Sequence, residues 1–161
     1  MEDGFLEMRS AVPASVVAEC QNEIAEALLA EGVDVDEPAT WRSVGRVIRP
    51  RTPAFETAGS QQILTHAYDA LLRSGSWWKP RGVGGTIPIR FPSELDPRDA
   101  GWHVDGSYDG DGGYWINFVS KARALLCLFL FSDVGPNDAP TELKVGSHLD
   151  VPSMLEPFGE A

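Results

Sequence analysis

In the stretch GWHVDGSYDGDGGYW, from Gly101 to Trp115, an imidazole and a carboxylate stand two residues apart, at His103 and Asp105. On a β-strand, residues i and i+2 point to the same face. One rigid element can therefore aim a ring nitrogen and a carboxylate oxygen at a common point, which fills two positions of a metal coordination sphere. A non-haem iron(II) centre of the two-histidine, one-carboxylate kind needs such a pair plus one more histidine, and it leaves three adjacent positions open. A His-x-Asp tripeptide is common by chance, so its surroundings must decide.

The same stretch admits two other readings. With Asp105 as the first position of a calcium loop, Ser107, Asp109 and Gly110 stand in acceptable places. Position twelve, however, is Ile116 where a bidentate glutamate is required, and no helix precedes the loop. In the plainest reading Asp109 to Gly113 turn a hairpin and His103 is an ordinary polar residue. Other chemistries find little support. No Gly-x-Ser-x-Gly elbow is present, and Cys127 sits in an apolar run that would raise its pKa rather than activate it. The glycines of RGVGGT lead into a strand pattern, not the helix that a phosphate-cradling loop requires.

The elements that must position the pair follow from periodicity. VPASVVAECQNEIAEALLAEG spaces Val17, Cys20, Ile24, Ala27 and Leu28 for a helix, with Pro13 suited to its first turn and Gly32 to its stop. A second helix is predicted from about Ser60 to Arg73, carrying Ile63, Leu64, Ala67 and Leu71, with His66 beside that stripe. Between them, Asp34 to Phe55 is broken by Pro38, Pro50 and Pro53 and holds at most one short strand, at Val44 to Ile48. From Val83 onward short β-type runs take over. These are TIPIRF, an edge strand because of Pro88, then Trp102 to Asp105, then ALLCLFLF as a strand buried on both faces, then TELKV. The end, HLDVPSMLEPFGEA, reads as loop. Helices followed by short strands describe a β-sandwich or barrel with a helical layer outside it.

Composition sets bounds. The 161 residues, 43% apolar, suffice for one domain with a core. The longest apolar run, Ala124 to Phe131, is too short to span a bilayer, and the first ten residues lack a signal-peptide core, so a soluble, cytoplasmic protein is expected. Cys20 and Cys127 are expected as two buried, reduced thiols. A net charge of −11 excludes nucleic acid and anionic membranes as main partners. The acidity is uneven: from Pro38 to Ala100 nine Lys and Arg face five acids, a balance that suits an anionic small molecule or a mixed solvated surface.

Three segments then occur in a telling order: DGFLEMRSAVPASVVAECQNEIAEAL, GWHVDGSY, and LFLFSDVGPNDAPTELKVGSHLDVP. In this order the chain resembles the phytanoyl-CoA dioxygenase-like family, in its bacterial members, over nearly all its length. The resemblance implies a mainly β protein with flanking α: a double-stranded β-helix (jelly roll, cupin-like) with N-terminal helices packed outside. It implies an Fe(II)- and 2-oxoglutarate-dependent dioxygenase, with ascorbate as an accessory, that hydroxylates a small organic substrate. His103 and Asp105 would ligate iron, and the retained Asp105 favours hydroxylation over halogenation. Thr141 would face the cofactor pocket, and Arg90 would meet a carboxylate of co-substrate or substrate, which a guanidinium matches bidentately.

In that family the second histidine and the arginine for 2-oxoglutarate lie on strands well beyond the Gly-Ser-His segment, and only thirteen residues follow His148. His148 itself generally corresponds to no iron ligand. The expectation is therefore one domain over 1–161, with a helical layer to about 80 and β-helix strands over about 83–150, lacking its C-terminal part. The alternative is a non-catalytic cupin-like binding or structural domain that keeps half of a metal site. Neither selects a substrate.

Overall fold

The computed structural model describes residues 2–41, 46–48, 52–80, 82–95, 101–105, 108–111, 113–116 and 125–159. The helix foreseen near the N-terminus is α1, Ala14–Ala30. It ends where Gly32 takes a φ of 81°, open to glycine at no steric cost. There the Val33 amide donates to the Leu28 carbonyl at 3.0 Å and the Gly32 amide to that of Leu29 at 2.9 Å. This pair of bonds closes orphan carbonyls at the helix end, and the flanking Leu28 and Val33 are both buried.

Short elements follow: β1 (Arg46–Ile48), α2 (Pro53–Gly59), α3 (Gln62–Leu72) and β2 (Ile87–Ile89). Strand β1 pairs antiparallel with β2, Val47 opposite Pro88. A proline is tolerated there because a two-stranded ladder has only edges. Next come β3 (Tyr108–Gly110) and β4 (Gly113–Trp115), a hairpin with Tyr108 opposite Trp115, and finally α4 (Ser147–Leu155).

The core lies where α1 meets α2. Cys20 of α1 and Ala54, Phe55 and Ala58 of α2 are buried together with Phe131, with Val17 and Ile24 packed against them. Phe55 meets Phe131 edge to face, ring centroids 5.2 Å apart, a favoured aromatic geometry. The loop after Arg81 is seated on α2 by glycines at close quarters, and the Val83 amide donates to the Phe55 carbonyl at 2.9 Å.

The chain falls into two compact units. The larger comprises Met8–Arg98 and Phe129–Pro140, the smaller Met1–Glu7, Asp99–Leu128 and Thr141–Ala161. Every buried apolar residue among those described belongs to the larger.

This architecture overturns the expected mainly β double-stranded β-helix. Among the described residues, helices of 17, 7, 11 and 9 residues outweigh four strands of three residues each, and those strands make two separate two-stranded ladders. Trp102 to Asp105, the described part of ALLCLFLF and TELKV were expected as strands, and none of them joins a ladder. A helix satisfies its backbone within itself, whereas a strand needs a neighbour to exchange hydrogen bonds with. The run at 125–131 instead inserts Phe131 into the helical core, leaving Leu126, Leu128 and Leu130 exposed rather than doubly buried, and Cys127 with them. Two helices went unforeseen. Helix α2 begins at Pro53, which reads as a breaker but stands at the first helical position, where no amide is needed. Helix α4 holds Pro152 inside it and buries no residue, so no apolar period announces it.

Candidate functional site

The His-x-Asp pair lies in residues 101–105, chain outside any helix or ladder, all of it exposed. The strand expected to aim both side chains at one point is thus replaced by irregular backbone. Gly101 adopts a φ of 152°, a conformation that L side chains rarely take. Its carbonyl lies 3.4 Å from His103 Nδ1, at the long end of the hydrogen-bonding range. A carbonyl oxygen only accepts, so in the tautomer that carries its proton on Nδ1 the ring can donate to Gly101 and present the Nε2 lone pair elsewhere. That is the tautomer a metal-binding histidine with a carbonyl partner adopts. Asp105, two residues on, is exposed as well.

Among the described residues no third ligand is brought to the pair. Among the described residues no three His, Cys, Asp or Glu side chains form a group that could hold a metal ion. His148 stands in the first turn of α4, where its ring packs against the backbone of Gly4 so closely that a Cβ at that glycine would overlap it. The Gly146 amide beside it donates to the Asp3 carbonyl at 2.9 Å. The Gly-Ser-His turn therefore seats the N-terminal segment. His66, on α3, faces Gln62 at 3.5 Å.

The remaining candidates belong to different units. Arg90 follows β2 by one residue in the larger unit and is half-buried. Thr141 is exposed in the smaller unit, and the strand that was to turn it toward a cofactor pocket does not form. The calcium-loop reading of the same stretch gives way to the β3–β4 hairpin, which takes Asp109 and Gly110 as strand residues, while Ser107 lies outside the described residues. Trp115 Nε1 donates to the Asp111 carbonyl at 3.2 Å across that hairpin.

The larger unit carries an open depression lined by Pro53, Glu56, Thr57, Ser60, Lys79 and Pro80. Sequence reasoning missed it because its floor is α2. It offers one acid and one base and no nucleophile with a partnering base. Cys20 is no candidate either, since burial pushes its thiol pKa up, with the Glu23 and Glu19 charges adding to the effect. No helix among the described residues is long and apolar enough to cross a membrane. Comparison with family models, with curated proteins and with solved structures yields no match to this chain.

Proposed function

We propose that this chain belongs to a non-haem iron(II), 2-oxoglutarate-dependent oxygenase acting on a small organic substrate in the cytoplasm, with His103 and Asp105 as two protein ligands of the iron. The observation that carries the reading is the setting of His103. Its Nδ1 is turned to the Gly101 carbonyl, so Nε2 is available two residues from an exposed carboxylate. The order of the three sequence segments supports the same conclusion.

The donor set suits iron(II) in kind, one imidazole nitrogen and one carboxylate oxygen, but not in number. The described residues supply two of three ligands. Within the proposal His103 and Asp105 hold the ion, and the overall reaction couples substrate hydroxylation to oxidation of 2-oxoglutarate to succinate and carbon dioxide. A second reading is a non-catalytic cupin-like binding or structural domain that keeps the pair, since the described residues bring two donors together and no third.

Anaerobic titration with iron(II), or with cobalt(II) as a coloured substitute, separates these. Weak saturable binding is expected for the chain, strengthened by 2-oxoglutarate, and its loss in both His103→Ala and Asp105→Ala. Metal affinity that survives both substitutions places the site elsewhere and removes the proposal. Succinate formed under air, and abolished in both variants, marks the enzyme; binding without succinate marks the non-catalytic domain.

A further inference from the structure

The depression on the larger unit takes no part in the metal reading, and its two walls are chemically unlike. One wall is the outer face of α2, where Pro53, Glu56, Thr57 and Ser60 follow each other at helical spacing, opposite the buried Ala54, Phe55, Ala58 and Gly59. The other is the chain at Lys79 and Pro80. That chain is anchored to the helix just beyond. A Cβ at Gly59 would overlap the backbone of Gly82, so glycine lets the loop sit directly on α2, where the Val83 amide fastens it to the Phe55 carbonyl. A site formed in advance loses little conformational freedom when a ligand enters. Its volume, about 570 Å³, lies within the range of small-molecule sites.

Hydrogen-bonding capacity selects the ligand. Thr57 Oγ1 donates to the Pro53 carbonyl at 2.9 Å and Ser60 Oγ to the Thr57 carbonyl at 3.2 Å. A hydroxyl has one proton, so in these bonds both side chains present only lone pairs to a ligand. Ionised Glu56 also only accepts, and Pro53 has no amide proton. The α2 wall is therefore negative and accepting. On the other wall, Lys79 supplies a positive charge and three donors. Among the described residues neither Glu56 nor Lys79 belongs to an ion pair. A ligand of one charge would satisfy one wall and meet a like charge on the other, whereas a ligand with both an ammonium and a carboxylate satisfies the two together.

We propose that this depression binds a small amino acid: Glu56, Thr57 and Ser60 accept from its primary ammonium, Lys79 meets its carboxylate, and the rings of Pro53 and Pro80 lie against its methylene groups. The proposal is independent of the metal reading. It is tested on the full chain by amide NMR titration with glycine and with 6-aminohexanoate, whose charges lie close together and far apart. Hexylamine, hexanoate and the N-trimethyl forms of both amino acids serve as controls. At least one of the two amino acids is expected to bind saturably, shifting the amides of α2 and of Lys79. It should bind at least roughly tenfold tighter than any control, because each control lacks the charge-assisted hydrogen bonds of one end. Its affinity should fall with added salt, as exposed charges are screened.

Glu56→Gln and Lys79→Gln keep a polar side chain at each position and remove its charge. Each should weaken the amino acid roughly tenfold or more, with an unchanged circular dichroism spectrum because both side chains are exposed. Glu26→Gln, at an exposed position of α1, should leave the affinity as it was. Saturable binding of neither amino acid overturns the proposal. So does a control that binds as tightly, or full affinity retained in either Glu56→Gln or Lys79→Gln. The comparison of ligands needs only the unaltered chain, so it decides even where a variant fails to fold.

Discussion

Burial separates two thiols that composition alone cannot tell apart. Cys20 is wholly buried between α1 and α2, and burial raises its pKa above the ordinary 9.0. The folded state then holds this proton more firmly than the unfolded chain does. Its contribution to stability is fully present below 9.0 and is lost as pH rises through the higher folded value. Cys127, by contrast, stands exposed. Iodoacetamide at neutral pH should therefore modify Cys127 first, with Cys20 slower by roughly a hundredfold or more because it reacts only when the core opens. Peptide mass spectrometry of a time course reads both, and equal rates would place Cys20 outside the core. The burial of Cys20 was legible from its helical spacing with Val17 and Ile24. That of Cys127 was misjudged, because an unbroken apolar run announces hydrophobicity on both faces without saying whether anything covers them. The same limit holds at His103: its chemistry is visible in the tripeptide, but the backbone that orients its ring is not.

Local signals predicted local elements well. Helix α1 and its Gly32 stop follow from period and glycine chemistry within one segment, and the hairpin over Asp109 to Gly113 follows from its glycines. The expected β-helix failed because strand pairing depends on neighbours far along the chain, and no residue near Trp102 or Leu126 reports whether they arrive. Helix α2 was hidden by Pro53 for the opposite reason, a strong local signal taken with the wrong position. Its consequences are testable at the glycines that let the following loop approach it. A Cβ at Gly82 would lie 2.7 Å from Glu56 Cα and 3.0 Å from the Phe55 carbonyl, both backbone atoms that cannot rotate aside. Gly82→Ala should cost about 1–3 kcal/mol, the range for forcing atoms into a filled contact. Gly84→Ala, two residues on, meets nothing within 4 Å and should cost little. Urea unfolding followed by circular dichroism compares them, and equal stability of the two variants would mean that the loop does not sit on α2.

At the scale of the whole chain, apolar content and an interior are different quantities. A 43% apolar composition promised a core, and the larger unit provides one in Cys20, Ala54, Phe55, Ala58 and Phe131. The smaller unit has comparable side chains, and none of those whose burial is described is buried. Hydrophobic stabilisation scales with area removed from water, so the two units should differ in the free energy of local opening even though they are parts of one chain. Hydrogen exchange of the chain alone should show the amides of α1 and α2 protected at least roughly a thousandfold more than those of 101–105, 126–128 and 141–145. The β3–β4 hairpin should exchange with the weakly protected group, since two strands of three residues are marginal in water. Uniform protection over both groups would require the smaller unit to have an interior of its own. In that case Leu126 and Val145 would be withdrawn from solvent, and charged substitutions at either position would destabilise the free chain, an effect that Leu29→Glu on α1 would not share.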